Sequence, residues 1–501
     1  MRKFSKIVFS RAFILFLLIF LQIAFFVVIN YYLSSFYSWF NIVISLLSIL
    51  VFFIVVNLDV PSSIIVPWLV AIAISPIFGT TLYLLLGRNV TKKMVAKKYQ
   101  RIVNDVYIDD VDYKTKNEDI KLIENLTSCK AHKNTKVEYL KCGEDFFEKL
   151  KSALRKAEKY IFMEYFIIEK GFMWNEILDV LEEKIKQGVK VFLMYDSLAC
   201  STKDSLAYFN KLKKMGINVQ EFNKFTPFVD AIQNNRDHRK ITVVDGKCGF
   251  MGGSNLADEY INKKKIYGLW RDSNIYIEGE AVINLIELFI NQYNATVGIK
   301  ESLKVEDYRF ESEITDNSSY ILPYGTGPYP IYEKRIAESI YLNVIYNAKE
   351  YLYITTPYLV VDTYIIDVII SAKRRGVDVK IMLPGIPDKY MVYVLAKSNF
   401  KKLIDSGVEV LLYKDGFIHS KSIVSDNVKG IVGTINFDYR SLIHHFECAT
   451  YMYKAPCIID MKEDFLNLRK ENCIIAGEKE EKLGFFEKLI KNLIKAFMPL
   501  F

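Results

Sequence analysis

Hydrophobic residues follow two different patterns along the chain. Before residue 90 they form long uncharged runs, at residues 12–29, 42–56 and 64–86. The first and third runs are long enough for a membrane helix of about 20 residues, and the second reaches that length when residues 39–57 are counted. The first run exceeds the roughly 7 to 15 apolar residues of a signal peptide, and no small-x-small cleavage site follows it. We therefore expect an uncleaved, helical membrane anchor.

Beyond about residue 100 the pattern changes to alternating helices and strands, and the same order occurs twice. The first occurrence predicts a helix over 146–159, a strand over 160–168, a helix over 174–187 and a strand over 190–195. The second predicts a helix over 336–348, a strand over 351–355, a helix over 365–375 and a strand over 379–383. Strands separated by such helices indicate βαβ units and a mostly parallel sheet. The predicted fold class is α/β with two pseudo-symmetric halves.

Both halves carry the same set of polar residues, and each member of the second set lies 181 residues after its counterpart. The first set is His238, Lys240, Asp245 and the run Gly252, Gly253, Ser254, Asn255. The second set is His419, Lys421, Asp426 and the run Gly433, Thr434, Ile435, Asn436. The chain has five histidines, so two of them heading the same pattern by chance is a weak alternative.

Residue types in this set are suited to phosphodiester chemistry. A histidine and a lysine two positions apart on a strand project to the same face, which puts an imidazole beside a cation. The lysine can neutralise a phosphate oxygen, the asparagine and the glycine-flanked backbone can donate to others, and the imidazole can attack phosphorus or protonate a leaving alkoxide. Because phosphodiester transfer needs both a nucleophile and an acid, we expect the two sets to face each other around one phosphate.

These residues resemble the signature of the phospholipase D superfamily, His-x-Lys-x4-Asp followed by Gly-Gly/Thr-x-Asn. Further segments are similar to its bacterial cardiolipin synthase branch, namely residues 235–246, 252–255, 270–272, 356–358, 416–421 and 433–441. Trp68 and the segment 76–88 also resemble the membrane anchor of those synthases. The resemblance covers roughly residues 64–500, and the preceding segment 12–57 makes this chain longer than members with two membrane segments.

The resemblance implies two α/β halves that share one active site, a covalent phosphohistidine with double displacement, and no metal or other cofactor. Its catalytic residues would be His238, Lys240, Asp245, His419, Lys421 and Asp426, with His238 as the nucleophile and His419 as the acid, although the reverse assignment stays open. A role of Asp245 and Asp426 in the local fold is an equal alternative. Residues that would bind substrate are Asn255, Asn436, Ser254 and Thr434.

Each imidazole also needs a carboxylate on its other nitrogen to set its tautomer. Asp272 and Glu447 occupy comparable places in the two halves and are the candidates. His444 and His445 lie near Glu447, but metal sites need three or four converging ligands and no further His or Cys cluster is close in sequence. We therefore expect no metal. His132, next to Lys133, is predicted to be a solvated loop residue.

Composition and charge narrow the class of protein. A hydrophobic content of 51% and a net charge of +8 exclude disordered and collagen-like chains. The seven cysteines are scattered without a Cys-x-x-Cys pair, which indicates neither a zinc site nor a disulfide framework and favours a reducing compartment. The sequence carries no indication of an oligomeric state. The predicted divisions are a membrane anchor over 1–100, halves over 101–310 and 311–483, and a basic amphipathic helix over 484–501.

Basic residues predict the orientation in the membrane. They flank the anchor on both sides, at residues 2–11 and 88–101, and the positive-inside rule places both flanks in the cytoplasm. We expect a multi-pass protein of the cell membrane with a cytoplasmic catalytic domain, in which the Pro-interrupted segment 64–86 bends without crossing. Residues 485–497 have an apolar face and a lysine-rich face, so they lie on anionic lipid or pack against the protein.

Four functions are to be weighed for such residues. A cardiolipin synthase would transfer a phosphatidyl group from one phosphatidylglycerol to another and release glycerol. A phosphatidylserine synthase or hydrolytic phospholipase D would use the same residues with serine or water as acceptor. A nuclease needs no membrane anchor, and no pattern for base stacking is present, so we expect no nucleic-acid partner. A non-catalytic scaffold is disfavoured because both sets are intact. The expected partners are phosphatidylglycerol and anionic membrane lipid.

Overall fold

The structure is a computed structural model, and it describes residues 34–58, 62–84, 117–200, 205–223, 235–297, 301–329, 331–332, 335–477 and 482–488, with the single positions 24 and 480. The described residues form two compact units, one before residue 92 and one from residue 117 onward. Apart from position 24, the predicted anchor segment 12–29 lies outside the described residues, and so do the basic flanks 2–11 and 88–101 and the tail beyond residue 488.

Among the described residues, the first unit contains helices α1 (Ser34–Val56), α2 (Ser62–Ile74) and α3 (Pro76–Leu82). The predicted segment 64–86 is interrupted at Ser75, because Pro76 has no amide hydrogen and favours the first position of a new helix. Trp68 packs edge-on against Tyr83, with ring centroids 5.5 Å apart. In the part of the chain that the structure describes, no helix is both long and apolar enough to cross a membrane.

The second unit contains two large sheets with helices around them. Outside the sheets, the described helices of this unit are α4 (Glu118–Thr127), α5 (Gly143–Arg155), α6 (Phe172–Lys186), α7 (Ser205–Lys214), α8 (Val282–Val297), α9 (Ile336–Tyr346), α10 (Thr363–Arg374), α11 (Tyr390–Lys397), α12 (Phe400–Asp405) and α13 (Cys457–Glu471). A short 3₁₀ helix spans Val305–Tyr308, and a π-helical turn spans Arg440–His444.

The first sheet is built from residues 135–279 and has the strand order β1-β8-β6-β5-β2-β3-β4. Its strands are β1 (Thr135–Leu140), β2 (Tyr160–Tyr165), β3 (Lys190–Asp196), β4 (Asn218–Phe222), β5 (Lys240–Val244), β6 (Cys248–Gly252) and β8 (Asn274–Gly279). The short strand β7 (Leu269–Arg271) lies outside this sheet.

The second sheet is built from residues 320–475 and has the order β19-β13-β12-β10-β15-β16-β18-β9. Its strands are β9 (Tyr320–Thr326), β10 (Tyr351–Thr355), β12 (Asp378–Pro384), β13 (Glu409–Tyr413), β15 (Ser422–Ser425), β16 (Lys429–Gly433), β18 (Glu447–Tyr453) and β19 (Cys473–Ile475). Three short strands lie outside it, namely β11 (Leu359–Val360), β14 (Gly416–Ile418) and β17 (Phe437–Asp438).

The predicted helices and strands are confirmed, but the expectation of mostly parallel sheets is wrong. Within the two large sheets, parallel pairing is confined to β2-β3-β4 and to β10-β12-β13, and the other neighbouring strands are antiparallel. The reason is that tight turns join β5 to β6 and β15 to β16. Asp245 and Asp426 begin these turns with φ of 54° and 57°, the left-handed region that reverses the chain.

The two sheets share one buried core. Ile241 and Ile275 of the first sheet belong to the same apolar cluster as Val432 and Cys448 of the second, together with Phe289 of α8. A second cluster covers the other face of the first sheet with α5 and α6. The strands that follow His238 and His419 are central in their sheets, so this packing brings the two polar sets toward one another.

The prediction for His132 is wrong. Its backbone pairs with Ile321 at the edge of β9, and the residue is only 6% exposed. Nε2 lies 2.9 Å from Oδ1 of Asn284, so the buried imidazole has a hydrogen-bond partner. The sequence showed only the polar neighbour Lys133, whereas the burial comes from a strand almost 190 residues away.

Candidate active site

At the site, two short stretches of backbone pairing join a segment of one half to a segment of the other. Strand β14 of the second half pairs in parallel with β7 of the first, and the amide of His419 donates to the carbonyl of Arg271 at 2.7 Å. In the reciprocal pairing, the amide of His238 donates to the carbonyl of Phe446 at 2.9 Å. Arg271 directly precedes Asp272, and Phe446 directly precedes Glu447. Each histidine therefore lies beside an acidic residue of the opposite half.

Each imidazole contacts that carboxylate through Nδ1. Nδ1 of His238 lies 2.9 Å from Oε2 and 3.1 Å from Oε1 of Glu447, and Nδ1 of His419 lies 2.6 Å from Oδ2 of Asp272. Both carboxylates are fully buried. A carboxylate at Nδ1 holds the proton there and leaves the lone pair on Nε2. The sequence identified both acids, but not that the pairs are crossed between the halves.

Matching positions of the glycine-rich runs hold the two carboxylates differently. The Thr434 hydroxyl donates to the carboxylate of Glu447 and accepts from the Cys448 amide at 3.0 Å. The corresponding residue of the first half is Gly253, where an added β-carbon would lie 1.9 Å from Oδ1 of Asp272. The shorter acid therefore occupies the space that the missing side chain leaves.

The two lysines are buried in the same region. Nζ of Lys240 donates to the carbonyl of His238 at 2.6 Å, and Nζ of Lys421 donates to the carbonyl of His419. Burial lowers the pKa of Lys240 to about 8 and the pKa of Lys421 to about 7, while Glu447 and Asp272 respectively oppose the shift. An incoming anion would favour the charged form of both amines.

Burial also governs the protonation of the imidazoles. It lowers the pKa of His238 well below its usual range, and repulsion from Lys240 and Lys421 adds to the effect. The pKa of His419 falls to about 4 for the same first reason, with Asp272 opposing the shift. Both rings are therefore neutral near pH 7, which is the form that can attack phosphorus.

The four residues predicted to bind substrate differ in how many hydrogen bonds their side chains already make within the protein. Asn255 accepts from the Ile167 amide at 2.9 Å and donates to the Tyr260 hydroxyl at 2.6 Å. The Ser254 hydroxyl accepts from Asn274 at 2.8 Å, and that of Thr434 contacts Glu447 as described. These three side chains are engaged within the protein. Asn436 differs, because its Oδ1 is buried without a hydrogen-bond partner among the described residues.

Asp245 and Asp426 lie at the far ends of the strands that carry the lysines, about 16 Å away at roughly 3.3 Å per residue. The Asp245 carboxylate accepts three backbone amides, those of residues 158–160, at 2.7–2.8 Å. Asp426 accepts the amides of residues 349–351 at 2.9–3.0 Å. This geometry favours the alternative role of these two residues in the local fold, and their catalytic role stays an untested prediction.

Several residues of the site were not identified as site residues from the sequence. Phe166 lies beside His238 and Trp270 beside His419, with ring centroids 5.0 and 5.2 Å apart. The ring of His445 lies 5.7 Å from that of His238. His238, His445 and Glu447 each bring one potential ligand atom within 4.8 Å of the others. The pair of histidines near Glu447 was a local signal, but the third member comes from the other half.

Comparisons with known proteins show which chains this one is similar to. A family model described as "Cardiolipin synthase, PLD-like domain" matches residues 150–291 and 341–469. An uncharacterized protein of Streptococcus mutans is 39% identical over 463 residues, covering 89% of this chain and 98% of that protein. A protein of Alkalihalophilus pseudofirmus named cardiolipin synthase is 31% identical, covering 86% of this chain and 88% of that protein.

A solved structure shares the fold. The phosphatidylserine synthase of Haemophilus influenzae superimposes with a TM-score of 0.57 and 16% identity, covering 77% of this chain and 98% of that one. At this identity the likeness concerns the fold alone.

Proposed function

Because the chain belongs to the phospholipase D-like cardiolipin synthase family, we propose that it makes cardiolipin by transferring a phosphatidyl group from one phosphatidylglycerol to the hydroxyl of another, with release of glycerol. Membership in this family makes the chain a phosphatidyltransferase. The observation that carries the proposal is the pair of imidazoles, each within hydrogen-bond distance, at Nδ1, of a buried carboxylate of the opposite half. Such a pair can supply one nucleophile and one acid to a single phosphate.

The first displacement forms a covalent intermediate. Nε2 of His238 attacks phosphorus, the bond from phosphorus to the glycerol oxygen breaks, and protonated His419 gives its proton to that oxygen. Glycerol leaves, and the phosphatidyl group remains on His238. In this proposal the amines of Lys240 and Lys421 and the Nδ2–H group of Asn436 stabilise the charge on the phosphate oxygens.

The second displacement reverses these roles. His419, now neutral, accepts the proton of the hydroxyl on the second phosphatidylglycerol, and the oxygen attacks phosphorus. The bond from phosphorus to Nε2 breaks, cardiolipin leaves, and His238 is neutral again while His419 is protonated. The proton that His419 gave to glycerol is thereby recovered from the acceptor, so no external acid or base is consumed.

Charges around the two rings support this assignment of roles. The pKa of His238 is depressed well below its usual range by burial and neighbouring cations, so its lone pair is available. His419 is also depressed, but Asp272 supports its protonated form. A bound phosphodiester anion adds negative charge that raises both pKas. We assign the protonated state to His419 because Nδ1 of His419 is closer to its carboxylate, at 2.6 Å, than Nδ1 of His238 is, at 2.9 Å. The reverse assignment is the competing hypothesis.

Exposed apolar side chains support a location at the membrane. On α1, Leu46 and Phe53 are exposed, and near the end of the described chain Phe485 and Phe486 are 78% and 74% exposed beside Lys488. Apolar groups next to cations match an anionic lipid surface, which is also the surface that contains phosphatidylglycerol. We therefore retain the cell membrane, with the catalytic unit on its cytoplasmic side, as part of the proposal.

Expression in a bacterial host that makes phosphatidylglycerol but no cardiolipin tests the function. Lipid extracts of cells that express the wild-type chain are expected to contain cardiolipin, and those of cells that express His238→Ala are not. His444→Gln is the matched control, since it replaces a histidine of the same segment that has no role in the proposed reaction. Accumulation of phosphatidylserine or phosphatidic acid in place of cardiolipin would refute the proposed acceptor and indicate serine or water instead.

A further inference from the structure

His445 is a polar side chain of the site that the transfer reaction does not use. Its side chain is 11% exposed, and neither ring nitrogen has a hydrogen-bond partner among the described residues. The main chain at this position is fixed because the backbone amide of His445 donates to the Arg440 carbonyl at 2.9 Å, closing the π-helical turn. Burying an imidazole without a hydrogen bond costs free energy, so a ligand that binds to it would recover that cost.

Distances around His445 fit a transition metal. Nδ1 of His445 lies 3.5 Å from Oε1 of Glu447, and Nδ1 of His238 lies 3.1 Å from the same oxygen. In a tetrahedral zinc site with bonds of about 2.0 to 2.1 Å, two ligand atoms lie about 3.3 to 3.4 Å apart. Two imidazoles and one carboxylate also form a ligand set that zinc enzymes use, with the fourth position open to water.

We propose that a divalent transition metal, represented by Zn²⁺, binds to His238, His445 and Glu447 and stops phosphatidyl transfer. The binding site follows from the geometry alone, whereas its inhibitory effect rests on the proposed function. This metal is an inhibitor and not a cofactor, since neither displacement requires it.

A shift of tautomer explains the inhibition. Neutral imidazole has one N–H and one lone pair. In the free enzyme the N–H of His238 is at Nδ1, facing Glu447, and the lone pair is at Nε2. A metal ion at Nδ1 needs the lone pair there, so the proton moves to Nε2 and the number of protons on the ring is unchanged. Nε2 then has no electron pair for phosphorus, and saturating metal should abolish transfer completely.

Nearby cations limit the affinity. Lys240 and Lys421 already repel positive charge at His238, and they would repel a dication as well. We expect binding weaker than in structural zinc sites, and therefore reversed by a chelator within the time of an assay. Chelation and zinc should therefore act differently on this enzyme. The chelator should leave transfer activity unchanged, and the metal should abolish it.

Metal binding can be measured without reference to activity. The untagged full chain in detergent is freed of metal and titrated with Co²⁺, whose visible absorption reports tetrahedral coordination, and Zn²⁺ is then added to displace it. Transfer activity is measured in parallel over the same range of Zn²⁺. His445→Asn removes one ligand and His445→Gln is a second variant in case the first does not fold. His444→Asn is the matched control.

We expect one Co²⁺ per chain, displaced by Zn²⁺, and inhibition by Zn²⁺ over the same concentrations. Both His445 variants should bind the metal at least about tenfold more weakly, by the usual effect of losing support at a metal site, and His444→Asn should bind it as the wild type does. No binding up to millimolar metal, or equal binding and inhibition in folded His445 variants, would overturn the proposal. Binding that depends on His445 in a chain without any transfer activity would support the site and refute the proposed function.

Discussion

The crossed pairing of imidazoles and carboxylates makes a quantitative prediction for Glu447→Gln. The substitution keeps the size of the side chain but replaces a charged acceptor, 2.9 Å from Nδ1 of His238, with a neutral amide. A hydrogen bond to a charged group contributes about 1.5 to 3 kcal/mol, and each 1.36 kcal/mol is tenfold in rate. If that free energy is needed in the first displacement, phosphatidyl transfer to His238 should slow by about one to two orders of magnitude. Asp272→Asn should have a loss of the same order, but through His419.

A substrate with a different leaving group can distinguish the kinetic role of the His238–Glu447 pair from that of the His419–Asp272 pair. A phosphatidyl ester of p-nitrophenol releases an anion that needs no proton, so the general acid becomes dispensable in the first displacement. The burst of nitrophenolate in a single turnover measures that step. His419→Ala and Asp272→Asn should regain most of the wild-type burst, while His238→Ala and Glu447→Gln remain slow. Recovery of Glu447→Gln together with His419→Ala would refute the crossed pairing, and recovery of His238→Ala would reverse the roles of the two histidines.

Four further predictions follow from the same geometry. His238→Ala and His419→Ala should each lower cardiolipin formation by at least roughly two orders of magnitude and leave the protein in the membrane fraction; high residual activity in either would contradict a shared site. Activity should survive exhaustive chelation, because two lysines supply the positive charge at the phosphate, whereas loss on chelation with rescue by zinc or manganese would contradict this. Asp245→Asn should lower the free energy of unfolding by about 1 to 3 kcal/mol, since three amides lose a charged acceptor, while kcat changes little; an unchanged melting temperature with a large loss of kcat would support its catalytic role. A single cysteine introduced near Lys304 in a cysteine-free variant should resist a membrane-impermeant thiol reagent in intact cells, and labelling without lysis would place the catalytic unit outside.

Local patterns in the sequence predicted the elements closely because helix and strand periodicity depends on neighbours along the chain. Strands β3 and β12 illustrate this. Residues 190–195 were predicted where the structure has Lys190–Asp196, and residues 379–383 where it has Asp378–Pro384. The strand direction was predicted less well. Asp245 and Asp426 were weighed as acids when they also carry turn chemistry, since aspartate tolerates the left-handed region that a reversal of the chain needs.

Contacts between the halves could not be predicted from one sequence. Glu447 and His238 are 209 residues apart, and Asp272 and His419 are 147 apart. No local pattern encodes which imidazole meets which carboxylate, because that depends on backbone pairings such as β14 with β7. The same holds for His445, whose neighbour Glu447 is visible in the sequence but whose other neighbour, His238, belongs to the first half.

Crossed pairing also predicts that neither half is a catalyst by itself. A separated first half would keep His238 and Lys240 but lose Glu447, and it would retain Asp272 as a buried carboxylate without its imidazole. An unpaired buried charge costs several kcal/mol, so each half lowers that cost for the other when they assemble. Docking of the halves therefore completes the site and stabilises the fold through the same two contacts. A substitution that disrupts either pair should for this reason lower stability and activity together, unlike a change at His445, which belongs to neither pair.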